Sequence, residues 1–141
     1  MHRAGFASQS ESVSRDDGLV LVDAFVTAIA RCAPPGNKPN GDELARCRPW
    51  LEAELDLLDR VQVVVPLGGL AFIQVLRIYS DRGVTVPKPR PKFGHGINVE
   101  LGFDGPILLP SYHPSQQNTF TGRLTEQMLD AVFEQARSLL H

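Results

Sequence analysis

The sequence predicts an α/β fold, a three-layer α/β/α sandwich with a mainly parallel central sheet. Short aliphatic and β-branched runs bounded by glycine and proline alternate along the chain with amphipathic helical segments. Those runs are continuously apolar rather than alternating, which is typical of strands buried on both faces of a parallel sheet. Sites in such folds lie on the loops that leave the carboxyl ends of strands.

Size and composition limit the classes of protein. The chain has 141 residues, 43% of them hydrophobic, which fits a single domain over residues 1–141. Its net charge of −2 lacks the basic excess usual for DNA binding, so a DNA partner would need a local basic face. No run has the length of a signal-peptide core or a membrane span, so we expect a cytoplasmic protein without a membrane partner.

The first aliphatic run, residues 19–32, is predicted to contain a strand buried on both faces. The stretch 33–41 that follows is expected to be irregular. Its three prolines remove backbone donors and restrict the residues before them.

Two short helices are predicted next. Asn40 can cap the first, with Glu43 three residues on as in a capping box. Pro49 is expected to end that helix and to begin the second one, because proline is tolerated in a first turn but not in a helix interior. Cys47 would then lie at a helix junction, where its side chain could turn back toward the loop that starts at Cys32.

The rest of the chain alternates strands and helices. A buried strand over residues 61–69 enters a glycine turn, and a helix over 70–79 follows. Two more strands are predicted over 97–101 and 106–109. An amphipathic helix runs from Thr125, with an apolar stripe on one face.

A basic, proline-stiffened strip occupies residues 86–96. Lys88, Arg90 and Lys92 are three cations within a few extended positions, which could follow a phosphate backbone. The alternative is a strip that is only solvated.

The candidate site is the loop over residues 111–122, which follows the strand at 107–109. It carries the imidazole of His113, the stiffening Pro114 and several hydroxyl and amide side chains. Such a loop is suited to a polar ligand at a strand's carboxyl end. The alternative is a surface turn with a solvated His113.

The string Tyr-His-Pro-Ser-Gln-Gln-Asn-Thr-Phe-Thr-Gly-Arg-Leu-Thr from Tyr112 closely resembles the last motif of the uracil-DNA glycosylase superfamily, in its B-type iron-sulfur branch, family 5. The resemblance implies that His113 hydrogen-bonds a flipped base and stabilises its negative charge as it leaves. Pro114 and Ser115 match a turn that grips DNA phosphate. The segment that wedges into the duplex matches residues 116–120, which include Gln116, Gln117 and Asn118.

Three further positions gain a role only through this resemblance. The loop 34–39 is similar to a family segment in which Asn37 and Lys38 would lie near the site or the DNA, and the Phe-Gly-His-Gly string around His95 also occurs in the family. Thr27 matches a strand-end position at which many members carry a base-reading asparagine. A hydroxyl lacks the bidentate pattern of an amide, so deaminated bases other than uracil are also expected as substrates.

The two cysteines have alternative interpretations. On spacing alone, Cys32 and Cys47 are two unrelated thiols or a partial metal site, since an iron-sulfur cluster is normally held by four thiolates. Their sequence setting resembles the second half of the family's four-cysteine site. This implies a 4Fe-4S cluster of which the chain carries two ligands.

The start of the chain resembles the family sequence just after its first motif, a Gly-Leu-Ala-Pro loop that supports the base and supplies a water-positioning acid. We therefore expect an amino-terminally truncated chain without the first strand, equivalent to about the carboxyl-terminal two-thirds of a member. The implied function is base-excision repair by a monomer that hydrolyses the N-glycosidic bond of uracil in DNA. The alternatives are a DNA-binding chain without chemistry and an inactive remnant with bare strand edges.

Overall fold

The computed structural model describes residues 1–30 and 39–140. The chain divides into two compact units, Met1–Phe25 with Gln62–His141, and Val26–Val61. The helices and strands of the described residues are α1 (Gly41–Leu57), β1 (Val63–Val64), α2 (Gly69–Asp81), β2 (Val99–Glu100), β3 (Ile107–Leu108), α3 (Gln116–Phe120) and α4 (Glu126–Leu139). None of the helices in this part of the chain is both long and apolar enough to cross a membrane.

The larger unit contains a small mixed sheet in the order β1-β3-β2. Val63 pairs with Ile107 in parallel, and Val99 pairs with Leu108 antiparallel. The second pairing is antiparallel because β2 and β3 are joined by a tight turn over residues 101–106, which is too short for a parallel crossover. The predicted α/β class is confirmed, and the sheet is mixed where a mainly parallel one was expected.

Helices cover both faces of this sheet. On one face, Leu108 belongs to a buried cluster with Phe72 and Leu76 of α2. On the other face, the next residue, Leu109, is buried with Val132 and Ala136 of α4. Because successive side chains of a strand point to opposite faces, this alternation gives the predicted three layers.

Side chains cap two helices where the sequence indicated them. Asn40 accepts a hydrogen bond from the backbone N–H of Glu43 at 2.8 Å, which begins α1. Thr125 accepts one from the N–H of Met128 at 3.1 Å, which begins α4. Each cap satisfies a donor that has no partner inside its helix.

The strand predicted within residues 19–32 is wrong for the described part of that run. Among residues 19–30, only Leu21 forms a strand-type pairing, a single antiparallel bridge with Ala7. Val20 is 57% exposed and Phe25 is 55% exposed, so the run is not buried on both faces.

The reason lies at Asp23, which interrupts the extended backbone with a positive φ of 54°. Its carboxylate is held at 3.0 Å by Arg137 of α4. The same guanidinium donates to the carbonyl of Ala4 at 3.1 Å and lies over the ring of Phe6, with its Cζ 3.9 Å from the ring centroid. The segment is thus held in place by contacts with the Arg137 side chain of α4 rather than by continuous pairing with another strand.

The smaller unit contains α1, which is one continuous helix. The prediction that Pro49 divides it into two helices is wrong, and Cys47 lies inside α1 rather than at a junction. Arg48 and Glu52 form an i,i+4 ion pair at 3.2 Å across the proline position. Such a pair stabilises a helix by about 0.2–0.5 kcal/mol, which is a small part of what an interior proline costs.

Candidate active site

Two loops that leave parallel strands meet at one edge of the sheet. The N–H of Ser111 donates to the carbonyl of Pro66 at 3.0 Å, and the N–H of Gly68 donates to the carbonyl of Ser111 at 2.8 Å. These bonds continue the β1-β3 pairing past the strand ends through the parallel bridge Leu67–Ser111. The glycine turn before α2 therefore lies beside the loop that carries His113, at the edge where α/β folds place their sites.

Gly68 permits the close approach of the two loops. Its backbone has φ 97° and ψ 161°, a region that is essentially restricted to glycine. A Cβ at this position would lie 3.3 Å from the Cβ of His113. A side chain at Gly68 would therefore push directly against the candidate site histidine.

The backbone around His113 is fixed by hydrogen bonds. Its carbonyl accepts from the N–H of Ser115 at 2.7 Å and from the side-chain amide of Asn118 at 2.8 Å. The preceding N–H, that of Tyr112, donates to Nδ1 of His95 at 3.1 Å. Within the described residues, the exposed imidazole of His113 itself has no hydrogen-bond partner. The ring is held in position and remains open to a ligand.

A short helix lies inside the stretch 111–122, which was predicted as a loop. Ser115 begins α3, and its side-chain oxygen accepts from the N–H of Asn118 at 3.3 Å. Thr119 donates from its hydroxyl to the carbonyl of Ser115 at 2.7 Å. Ser115 and Asn118 therefore have a structural role in shaping the loop around His113.

Aromatic rings form the wall behind His113. The ring of Tyr112 stacks on His95 with centroids 4.9 Å apart and planes 16° apart. Phe93 contacts the same tyrosine at 5.9 Å, and the guanidinium carbon of Arg123 lies 5.5 Å from its centroid. Since a backbone N–H can only donate, Nδ1 of His95 must be the acceptor and is unprotonated in this arrangement.

These elements enclose an open cleft of about 350 Å³, which we call the first cleft. It is lined by Gly68, Gly69, Phe93, Tyr112, His113, Asn118 and Arg123. Two aromatic rings supply flat apolar surface, whereas an imidazole, an amide and a guanidinium supply donors. Such a cleft can hold a planar heterocycle and stabilise negative charge that develops on it.

Charge in the first cleft is positive. Arg123 forms no ion pair with any described carboxylate, and no acidic side chain is among the cleft's described lining residues. The first turn of α2 begins at Gly69 and has no side-chain cap, so backbone N–H groups are also directed toward this end of the cleft. Both features favour an anionic group.

The structure brings together only part of the predicted site. His113 and Asn118 line the first cleft, while Pro114, Gln116 and Gln117 are exposed on the same loop outside the lining. His95 is not among the described lining residues, but its Nδ1 accepts the N–H of Tyr112, which is one of them.

The remaining predicted residues belong to the smaller unit or fall outside the described ranges. Thr27 belongs to the smaller unit, where its hydroxyl donates to the carboxylate of Glu54. Asn37, Lys38 and Cys32 fall outside the described residues. Their predicted roles stay predictions.

The Cys47 side chain is half-buried on α1. Within residues 1–30 and 39–140, no three His, Cys, Asp or Glu side chains are grouped as metal ligands would be. The sequence contains two cysteines, whereas an iron-sulfur cluster is normally held by four thiolates. The residues of this chain alone therefore do not fit a complete cluster site.

Sequence reasoning assigned no role to several residues of the first cleft, namely Gly68, Gly69, Phe93, Tyr112 and Arg123. A signal for the two glycines was present, since they follow one predicted strand while His113 follows another. Parallel neighbours would bring those loops together. Arg123 belongs to the string that begins at Tyr112, but its position in the cleft depends on how α3 ends.

The match to known proteins covers nearly the whole chain. Residues 1–137 match the family model described as the uracil DNA glycosylase superfamily. The chain belongs to this superfamily. The membership predicted from the string that begins at Tyr112 is confirmed.

Individual relatives carry the same family name. The chain is 48% identical over 140 residues to the type-5 uracil-DNA glycosylase of Mycobacterium tuberculosis (strain CDC 1551 / Oshkosh), covering 99% of the chain and 50% of that protein. It is 44% identical over 139 residues to the type-5 enzyme of Thermus thermophilus, covering 60% of that protein. A type-4 uracil-DNA glycosylase of Saccharolobus solfataricus is 28% identical over 99 residues, 70% of this chain and 44% of that protein. The chain thus spans about half the length of these glycosylases.

Proposed function

We propose that this chain acts on DNA in base-excision repair, by hydrolysing the N-glycosidic bond of a flipped uracil nucleotide. The observation that carries the proposal is the unpartnered imidazole of His113 on a fixed backbone in the first cleft, in a member of the uracil-DNA glycosylase superfamily. Relatives named as type-5 uracil-DNA glycosylases support uracil as the base.

The first cleft suits an extruded base. Enzymes that act on a base in a duplex flip it out and pay an unstacking cost of a few kcal/mol. The rings of Phe93 and Tyr112 provide flat contact surface for that base. An N–H of His113 would donate to a base oxygen, and this bond strengthens as the leaving base gains negative charge.

The backbone of the DNA strand would contact the cationic edge of the same cleft. The first turn of α2, which begins at Gly69 and has no side-chain cap, can bind a phosphate through N–H groups that have no partner inside the helix. Arg123 adds a charge that forms no ion pair with a carboxylate of the described residues. The turn at Pro114 and Ser115 would hold the neighbouring phosphate.

The exposed face of α3 would enter the space that the flipped nucleotide leaves. Gln116 and Gln117 are exposed, and the Phe120 side chain is 84% exposed. An aromatic ring presented to solvent at a candidate DNA surface can stack on the neighbouring bases. Asn118 instead uses its amide to hold the carbonyl of His113.

The roles proposed for Thr27, Asn37 and Lys38 rest on the family resemblance alone. Thr27 would contact the base, and Asn37 and Lys38 would contact the base or the DNA. A threonine hydroxyl makes fewer hydrogen bonds than an amide, so other deaminated bases are included among the proposed substrates.

A single domain, a monomeric state and a cytoplasmic location are likewise part of the proposal.

We also propose that Cys32 and Cys47 are two of the four thiolate ligands of a 4Fe-4S cluster in glycosylases of this type. Two thiolates do not complete such a site, so no step of the proposed reaction involves the cluster. Iron and sulfide analysis after anaerobic reconstitution tests this. We expect no stoichiometric cluster on the 141-residue chain. Four iron atoms per chain would contradict the expectation that two thiolates do not complete a cluster site.

One observation favours a second candidate function, DNA binding without hydrolysis. No carboxylate lines the first cleft within the described residues, and hydrolysis needs a group that positions the attacking water. Release of base from uracil-containing duplex, measured together with duplex binding, separates the two candidates. Release supports the glycosylase. Binding that prefers uracil-containing duplex, without release, supports the second candidate, and absence of both contradicts both.

A further inference from the structure

A second cleft of about 490 Å³ lies along α2, beside the first. It is lined by Gly69, Phe72, Ile73, Leu76 and Arg77 of α2 and by Arg90, Pro91, Lys92 and Phe93 of the basic strip. Gly69 and Phe93 line both clefts. The two clefts are therefore adjacent parts of one surface of the larger unit.

The second cleft has an apolar floor that remains accessible. Phe72 and Leu76 are almost fully buried beneath it, whereas Ile73 is 43% exposed. The ring of Phe93 packs edge-on against Phe72 at 6.0 Å and also contacts Tyr112 of the first cleft at 5.9 Å. A continuous row of rings thus connects the two floors.

The walls of this cleft are cationic. Arg77, Arg90 and Lys92 are exposed and form no ion pair with a described carboxylate. The cleft's described lining contains no acidic residue. In a chain with net charge −2, three uncompensated cations around one cleft are a local concentration of positive charge.

We propose that the second cleft binds an unstacked nucleotide of a single DNA strand, with its base on the apolar floor and its phosphates on Arg77, Arg90 and Lys92. A paired duplex presents phosphates but no base faces, so it would leave Ile73 and Phe93 uncovered. An unpaired strand presents both, as the combination of a basic groove with an apolar platform requires. The inference rests on the proposed function, since it takes the same DNA strand as ligand in the neighbouring cleft.

Charge substitutions test the phosphate contacts. Binding of the 141-residue chain to a fluorescein-labelled oligothymidine of about 12 nucleotides is followed by anisotropy over a range of salt concentrations. In the triple variant Arg77→Gln, Arg90→Gln, Lys92→Gln, we expect at least tenfold weaker binding at low salt. Since each phosphate contact contributes about 0.7 to the salt slope for single strands, that slope should fall by about 2.

A matched control removes the same charge elsewhere. The triple variant Arg15→Gln, Arg46→Gln, Arg60→Gln replaces three exposed cations that do not line the second cleft. It should retain the wild-type salt slope to within about one unit. Equal loss in both triple variants would mean that net charge alone attracts the strand, and it would overturn the inference.

A second pair of variants tests the base contact without changing charge. Ile73 and Leu70 lie on the same helix and are 43% and 40% exposed, but only Ile73 lines the second cleft. Ile73→Gln should weaken oligothymidine binding about fivefold and leave binding to a duplex of the same length unchanged, whereas Leu70→Gln should change neither. Equal effects of the two substitutions, or equal loss on single strand and duplex, would contradict a base on this floor. Displacement of the oligonucleotide by polyglutamate at equal charge concentration would instead indicate an acidic protein segment as the occupant.

The inference and the proposed function can fail separately. One outcome is that base release depends on His113 while the affinity for oligothymidine is unchanged by substitution of Arg77, Arg90 and Lys92. In that case the second cleft is not a strand site and the glycosylase proposal stands. If binding follows the three cations but no base is released, the strand site stands and the glycosylase proposal fails.

Discussion

His95 is predicted to hold the peptide that precedes His113 in place. Its Nδ1 accepts the N–H of Tyr112 at 3.1 Å, and its ring stacks on the tyrosine at 4.9 Å. Two substitutions separate these contacts. His95→Phe retains a ring for stacking and removes the acceptor, while His95→Asn retains an acceptor close to the position of Nδ1 and removes the ring.

The expected magnitudes follow from the burial of the pair. Leaving a buried N–H without an acceptor costs about 1–3 kcal/mol, and the Tyr112 amide is only partly buried, so about 1 kcal/mol is expected for His95→Phe. Losing the stack in His95→Asn costs about 0.5–1.5 kcal/mol. The two variants should therefore lose similar global stability.

They should differ in a local readout. Hydrogen exchange of the Tyr112 amide, measured by NMR under conditions corrected for global stability, should be about fivefold faster in His95→Phe, the factor that 1 kcal/mol corresponds to. In His95→Asn it should remain near the wild-type rate. If the chain releases uracil, His95→Phe should lower kcat and leave KM nearly unchanged. Slower exchange in His95→Phe than in His95→Asn would refute the role of Nδ1 as acceptor.

Three further predictions concern the loops and the surface. Gly68→Ala should destabilise the fold by about 1–3 kcal/mol and reduce base release. The backbone of Gly68 lies in a region restricted to glycine, and the new methyl group would press on His113. Denaturant unfolding measures the stability, and a release assay measures the activity. Hydrogen bonds from the N–H groups of Leu19 and Val13 lower the pKa of the Asp17 carboxyl. The turn should therefore be ordered at a pH above the unfolded-state pKa of this carboxyl and lose its order as the pH falls through the lowered pKa of the folded state. An NMR titration of the Asp17 carboxyl measures this. Phe120→Ala should slow uracil release from duplex by about tenfold and from single strands by less than twofold, because only a duplex leaves a gap to fill.

Each of these has a control within the chain. Gly18 also has a positive φ, 82°, but nothing lies within 4 Å of a Cβ built there, so Gly18→Ala should cost backbone strain without affecting base release. For the acid titration, Asp17→Asn should remove the pH dependence of the Leu19 amide. For Phe120, equal slowing on single strands and duplex would exclude a wedge role.

The fold could be predicted where local pattern and global environment agree. The helix from residue 69 and the helix capped by Thr125 carry apolar stripes at helical spacing, and both pack on the sheet with those stripes. Three of the four predicted strands, over residues 61–69, 97–101 and 106–109, were located correctly and are shorter in the structure, whereas the one within 19–32 was wrong for the described part of that run.

The errors arose where tertiary contacts override local preference. The apolar run at residues 19–30 has strand composition, but the ion pair of Asp23 with Arg137, far away in sequence, fixes a different path. Pro49 would end an isolated helix, yet the surrounding turns of α1 continue through it. The path of residues 19–30 cannot be obtained from a local window, because Arg137 lies 114 residues from Asp23 in the sequence.

The candidate site was predictable in its centre and not in its surroundings. His113 follows a strand and lies in a polar loop, a pattern that also allows a solvated surface turn, and the family resemblance of the string from Tyr112 gave it its predicted role. The approach of Gly68, the stack of His95 on Tyr112 and the position of Arg123 depend on how separate loops meet. Such contacts between distant segments leave no periodic signal in the sequence.

The measurement that tests the central claim most directly is the single-turnover rate of uracil release from a duplex, by the wild-type chain and by His113→Ala. If His113 stabilises the leaving base, its removal should lower the rate by about 10²- to 10³-fold, as for other donors to a developing anion. Duplex binding should remain within a few-fold, which shows that the variant is folded and engages DNA. Release by His113→Ala at the wild-type rate would contradict the account.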